Sequence, residues 1–320
     1  MKALVYTGVE AVEHQVVADP VAAQGETLVH IDSVGICGSD MHAFLGHDER
    51  RPAPLILGHE GAGVTSDGRR VTINPLVTDP TSVASRSGRE NLCSSRQIIS
   101  MPPREGAFAE QVAIPERNLV EVPEHITLAQ AALAEPIAVS WHAVRLGLAA
   151  LHPADQRRAH VLGGGAIGVA AVLALKAMGI ESVTLSEPNG ARAAYLRDVC
   201  DIDVVQEPEQ NAPLVIDAVG FASTRAAACA LVSPGGVILH IGLGSSDGGL
   251  DIRRITLQEI TLIGTYTYTA QDFRDTCAAM FEGRLGALDW FETRALADGA
   301  AAFADLRAGK THAPKIILKP

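Results

Sequence analysis

Apolar positions in the first third of the chain come in short runs cut by Gly, Pro and Asp, at residues 3–6, 26–34, 61–65, 70–73 and 108–114. Runs of that length bounded by turn formers predict an all-β region. Near Thr127 the period turns helical: Thr127 is an N-cap candidate, Leu128, Ala131 and Ala132 share a face, and the tendency continues from Trp141 to residue 151. Strands and helices then alternate. Strands are expected at 160–162, 182–185, 204–205, 214–218, 237–241 and 261–263, with helices at 165–178, after Asn189, at 224–231 and at 270–281. Repeated βα units imply a doubly wound parallel sheet. The pattern breaks after Trp290, and 313–318 reads as a last strand returning to the β-rich part. The expected organisation is α/β: a β-rich domain at 1–139, a doubly wound domain at 140–290 and a returning segment at 291–320.

Length and composition fit this division. A chain of 320 residues with 47% hydrophobic and 20% charged residues can bury two cores without covalent staples. The longest apolar run, 161–175, ends at Lys176 and contains three consecutive glycines, so no membrane span is expected. The alternating N-terminus reads as a strand rather than a signal peptide. Five scattered cysteines argue for reduced thiols and a cytoplasmic location. A formal charge of −11, with 26 basic against 37 acidic residues, opposes phosphate-backbone binding. The expected partner is a small molecule, not nucleic acid or a membrane.

Two stretches carry chemistry. Gly163, Gly165 and Gly168 satisfy G-x-G-x-x-G between an apolar strand and an apolar helix that Ala166 and Ile167 open. Such a turn lets a pyrophosphate rest on the helix N-terminus. Glu187 follows about 20 residues on, where a carboxylate accepts ribose hydroxyls and repels a 2′-phosphate, which favours NAD over NADP even with Arg192 nearby. Later strand ends, at Val219, at Ile241, Gly242 and Leu243, and at Thr265, offer edges for the nicotinamide half.

The second stretch is Gly35-Ile36-Cys37-Gly38-Ser39-Asp40, read with Gly58-His59-Glu60-Gly61. Thiolate, imidazole and carboxylate together form a zinc inventory. Taken singly, a cysteine is more often a small buried hydrophobe and a His-Glu pair more often surface. Glu135 precedes Pro136, which suits the first position of a helix, so Glu135 reads as an N-cap whose carboxylate the helix field stabilises.

A β domain with these two turns, a dinucleotide half and a returning tail resembles the zinc-dependent medium-chain dehydrogenase/reductase family over essentially the whole chain. Ala134-Glu135-Pro136-Ile137-Ala138-Val139, followed by His142-Ala143-Val144, looks like its polyol branch of sorbitol, butanediol and sugar-acid dehydrogenases. The resemblance implies a GroES-like catalytic domain beside the Rossmann domain, and NAD-linked oxidation of a secondary alcohol or reduction of the matching ketone. It makes Cys37 and His59 zinc ligands, with Glu60 and Glu135 carboxylates that bind zinc directly or through its water. Ser39 would take the substrate proton, His42 would pass it to solvent, and Asp40 would stand behind the ligand imidazole. His47 and Asp48 fall where a polyol pocket could be lined, and Arg294 where the branch places a substrate-contacting arginine.

One departure is informative. Many members carry a structural zinc on four closely spaced cysteines, but the matching positions are Asp79, Ser82, Ser85 and Cys93. A closed structural site needs four good ligands, so one catalytic zinc per subunit is expected. Two competing readings are a zinc-free NADPH-dependent reductase of the same superfamily and a non-catalytic NAD-binding regulator. The presence of Cys37, His59 and Glu135 opposes the first, and zinc-dependent turnover would exclude the second. The apolar run 260–268 would form an exposed sheet edge, implying a homodimer or homotetramer.

Overall fold

A long strand, Glu26–Gly35, is the spine of the β-rich part of the computed structural model, which describes residues 1–155, 157–208 and 210–320. On one side it pairs antiparallel with Glu60–Thr65, itself followed by Arg70–Ile73 and Leu119–Glu121. On the other side its C-terminal end pairs with Lys315–Lys319, which pairs in parallel with Phe291–Ala295. Gln111–Pro115 pairs with its N-terminal half. Ala11–Val16, Lys2–Gly8 and Leu55–Ile56 form a second, smaller sheet. Alternation along these strands buries Val29, Ile31 and Val34 with Val71, Ile73 and Ile114. Phe303, from the helix Gly299–Arg307, fills the middle of this core, with ring centroids 5.1 Å from Phe44 and 6.1 Å from Phe108.

The doubly wound part is a five-stranded parallel sheet in the order Ser182–Ser186, Arg158–Leu162, Ala212–Asp217, Val232–His240, Thr261–Gly264. Its central strands bury Val161, Ile216 and Leu239 completely, as strands covered on both faces require. The strand expected at 204–205 is reduced to one bridge between Leu185 and Val204. The helix N-caps are those the side chains favour: Thr127 with Gln130 in a capping box, and Asn189 accepting from Ala191 and Arg192.

By packing, one unit comprises Met1–Glu135, Thr269–Phe281 and Phe291–Pro320, and the other Pro136–Tyr268 and Glu282–Trp290. The helix Ala270–Phe281, which the βα rhythm assigned to the second domain, groups with the first. The Ala270 N–H donates to Glu90, and the His125 ring meets the Phe281 carbonyl. Among the described residues no helix is long and apolar enough to cross a membrane.

His160 sits inside the parallel sheet, its Nδ1 2.8 Å from the Thr184 hydroxyl and its Nε2 3.1 Å from that of Ser186. Burial pushes its pKa down from 6.5 to about 4. The folded state therefore excludes a proton that the unfolded chain binds, so stability is lost as pH falls from 6.5 toward about 4. The loss approaches roughly 3 kcal/mol. Thermal unfolding between pH 7 and 4.5 should show a shallower decline in His160→Asn than in the parent; equal slopes would refute the assignment.

Candidate metal centre

The Glu26–Gly35 strand delivers the metal turn, and its antiparallel register sets Gly35 opposite Glu60. A side chain at 35 would displace the Glu60 carboxylate, because its Cβ would lie 2.0 Å from Glu60 Oε2. The glycine therefore makes room for the carboxylate. Cys37 caps the short helix Gly38–Phe44, and Asp40 on that helix folds back so that Oδ2 accepts the Cys37 N–H at 2.9 Å. Its other oxygen accepts from Gly58 N at 3.2 Å and lies 3.6 Å from His59 Nδ1. One carboxylate thus ties the two turns together. Ser100 Oγ, 3.3 Å from the same Nδ1, completes the setting of the ring and leaves Nε2 for a ligand.

Cys37, His59 and Glu60 converge, with one ligand atom from each within 4.8 Å of the others. Glu135 lies outside that triplet, buried in the first turn of Ala134–Ala150 and not at its N-cap, because the helix begins two residues earlier than Pro136 suggested. A first-turn acid still faces the positive helix end.

Lys315 is the residue that sequence reasoning missed. Its buried ammonium donates to both Glu60 oxygens at 2.7 Å and to the Ile36 carbonyl at 2.9 Å. Burial pulls the Lys315 pKa down, but the charges of Glu60, Cys37 and Glu135 outweigh it and hold the ammonium above its usual value. With a metal bound, the Cys37 thiol would coordinate as thiolate, and one thiolate and two carboxylates would face one ammonium. A divalent ion on this donor set would bring the local charge to zero, so thiolate, oriented imidazole and carboxylates fit zinc in number, softness and charge. The only advance signal of Lys315 was a lysine opening an apolar strand.

Burial raises the Asp40 carboxyl pKa, yet His59, Arg51 and the Cys37 N–H together hold it below the ordinary value. Burial alone would depress the His59 imidazole, but the Asp40 carboxylate and the Cys37 side chain keep it well above its usual pKa. Arg51 is buried and donates to the Ser100 carbonyl at 3.0 Å, the Ser39 carbonyl at 3.4 Å and Asp48 at 2.8 Å. Asp48 is further held by Arg50, so its carboxylate is committed to two guanidiniums and is not a free pocket group. Ser39 and His42 lie one turn apart on the short helix, both half-buried, with the His42 ring centroid 6.3 Å from that of exposed His47. Arg294, expected to contact substrate, is bound to Glu292 and Asp305 within its own unit.

At positions 79–93 hydroxyls stand where cysteines would hold a metal. Ser82 Oγ accepts from Ser85 N and bonds Ser85 Oγ at 2.9 Å, and Ser85 Oγ donates to the Asp79 carbonyl at 2.6 Å. Hydrogen bonds from Ser82, from Ser95 and from the Asp79 backbone lower the buried Cys93 thiol to about 7.

In the second unit the glycine turn has the required closeness, since a Cβ on Gly168 would sit 1.8 Å from the Gly163 carbonyl oxygen. Gly165 caps the Ala166–Ala177 helix with open space before it. Glu187 accepts from Gly164 N and Asn189 N, both at 2.8 Å, so it braces the glycine turn. Arg192 lies half-buried in the next helix. Val219, Ile241 and Gly242 gather around Asp217, which takes the Val219 N–H on its side chain and the other two on its carbonyl. Leu243 is 73% exposed, and Thr265 follows the last strand with a buried hydroxyl lacking a partner among the described residues.

A model of the alcohol dehydrogenase GroES-like domain matches residues 23–124, and one of the zinc-binding dehydrogenases matches 166–282. The chain is 29% identical over 291 residues to L-galactonate-5-dehydrogenase of Escherichia coli K12, covering 84% of each chain. It is 26% identical to L-idonate 5-dehydrogenase of Vitis vinifera, covering 82% of this chain and 78% of that one. The crystal structure of 2R,3R-butanediol dehydrogenase from Bacillus subtilis superposes with a TM-score of 0.86 at 22% identity, over 100% of this chain and 99% of that one. Galactitol-1-phosphate dehydrogenase from Escherichia coli gives 0.87 at 24%, over the whole of both chains.

Breaking the buried pair should cost about 3–5 kcal/mol. Lys315→Met should lower the denaturant midpoint accordingly, while Lys315→Met with Glu60→Gln recovers most of the stability. A double variant no more stable than the single one would show that Lys315 acts elsewhere.

Proposed function

The chain belongs to the zinc-dependent medium-chain dehydrogenases, in their polyol dehydrogenase branch, and on that premise we propose that it oxidises a secondary alcohol of a polyol or sugar acid with NAD as acceptor. The observation carrying this reading is the convergence of Cys37, His59 and Glu60 with Asp40 behind the imidazole. The relatives' names, L-galactonate, L-idonate and sorbitol dehydrogenases, support a substrate with adjacent hydroxyls.

Cys37 and His59 would hold the metal, with Glu60 and Glu135 binding it directly or through its water. Bound zinc would supply a Lewis acid that makes an alcohol hydroxyl acidic near neutral pH, and bound NAD the hydride acceptor. Ser39 Oγ takes the substrate proton and His42 hands it to solvent, a general acid/base relay along one face of the Gly38–Phe44 helix. Asp40 fixes the His59 ring, and Lys315 neutralises Glu60 so that the centre is not left over-charged. Gly163, Gly165, Ala166, Ile167 and Gly168 receive the pyrophosphate, Glu187 the adenosine ribose with Arg192 beside it, and Val219, Ile241, Gly242, Leu243 and Thr265 the nicotinamide half. The carboxylate of Glu187 selects NAD over NADP. The odd, scattered set of five cysteines supports a reducing compartment, the cytoplasm, and the charge of −11 supports a small-molecule partner.

Leu262 lies exposed on the outermost strand of the parallel sheet, and Leu257, just before it in the chain, is also exposed. That exposed apolar edge supports a homodimer or homotetramer in which a second copy covers it. Light scattering on Leu262→Glu should give the mass of a single 33.6 kDa chain where the parent gives a multiple of it; an unchanged multiple would rule this edge out.

Cys37→Ser and His59→Ala should abolish turnover of a panel of polyols and sugar acids and remove the metal while leaving NADH fluorescence titrations unchanged. Elemental analysis should find one zinc per parent chain. Full activity in either variant, or two zincs per chain, would contradict the assignment.

A further inference from the structure

The connection at 242–249 has four glycines, at 242, 244, 248 and 249, and no regular structure. Its backbone would be expensive to order unaided. Its first part is held by main-chain bonds, Gly244 N to the Val219 carbonyl at 3.1 Å and Ser245 N to that of Gly220 at 2.9 Å. Its second part is held by one side chain. Arg225, buried on the helix Ala222–Leu231, donates from Nε to the Gly248 carbonyl at 2.6 Å and from Nη2 to that of Asp247. Its Nη1 reaches the Ser245 carbonyl at 3.0 Å and the Gly220 carbonyl at 2.8 Å. Ser245 Oγ and His240 Nε2 lie at 3.5 Å.

Among the described residues no carboxylate pairs with this guanidinium, so a buried cation is satisfied chiefly by backbone carbonyls, three of them in the loop. An apolar side chain would fill the space without that desolvation penalty, but it would leave the carbonyls of 245, 247 and 248 without this partner. Only a planar fork with five donors spans four carbonyls at once.

We propose that Arg225 is a positioning residue for the cofactor: it templates 245–248 and so holds Gly242 and exposed Leu243 ready for the nicotinamide half of NAD. This rests on the reading of the 219, 241–243 and 265 strand ends as the nicotinamide edge. Arg225 acts through the loop and touches no reacting atom.

The test uses the zinc-loaded enzyme and Arg225→Met, with Arg225→Gln carrying the same readings if Met does not fold. If the ordered loop falls to a minor population, NADH Kd and the KM for NAD rise about tenfold or more. Zinc content, the KM for the alcohol and kcat at saturating NAD should stay within about twofold, because an unordered loop taxes cofactor binding before it taxes chemistry. Hydrogen exchange should show lost protection confined to 243–248, and Arg225→Lys should not restore it. Unchanged exchange there in Arg225→Met would overturn the proposal, as would a loosened loop with an unchanged NADH Kd. A parent enzyme that does not bind NADH would instead overturn the cofactor reading, and the exchange arm would still report separately whether Arg225 orders the loop.

Discussion

Lys315 and Glu60 meet where water is excluded, and neither charge is tolerable there without the other. The pair fixes more than two side chains. It pins Lys315–Lys319 against the end of Glu26–Gly35, it sets the Ile36 carbonyl one residue before Cys37, and it fills the space that Gly35 leaves by having no side chain. The donor set for a divalent ion is therefore assembled by a local charge balance, in which Cys37, Glu60 and Glu135 outnumber the one ammonium facing them.

Behind that balance runs a second line of charges. Asp40 holds His59 and the Cys37 amide, and Arg51 holds the backbone of Ser39 and Ser100 while favouring the ionised form of Asp40. Each member is buried, so removing one leaves another unpaired in a low-dielectric place, where such losses are felt most. The parallel-sheet unit solves its own ordering problem by similar means. Asp217 gathers the turn after its strand, and Arg225 gathers the loop after the next.

Local features were legible in the sequence. The glycine turn, the N-cap at Thr127, and the Cys37 and His59 turns each depend on neighbours a few residues away, and each has a side-chain signature. Long-range features were not. Lys315 reads as one lysine opening an apolar strand until sheet register brings it to Glu60. Arg225 reads as one polar position on an alanine-rich helix, and nothing in the periodicity says that a glycine loop folds over it. Arg294 and Asp48 looked available because their partners, Asp305 and Arg51 among them, are chosen by tertiary packing. The helix Ala270–Phe281 continues the βα rhythm, yet Glu90 and His125 bind its two ends into the first unit. Glu135 moved from cap to first turn because helix starts are set by hydrogen bonds that proline only biases.

The counter-ion of the metal centre comes last along the chain. Cys37, His59, Glu60 and Glu135 all leave the ribosome before Lys315, with the whole parallel sheet made in between. Until then the growing β unit carries an acidic cluster without its ammonium, and the far end of Glu26–Gly35 lacks the strand that will cover it. A strand left uncovered in that way is an open edge prone to mispairing. Pairing of Lys315–Lys319 with Glu26–Gly35 therefore supplies the ammonium and covers that strand end together.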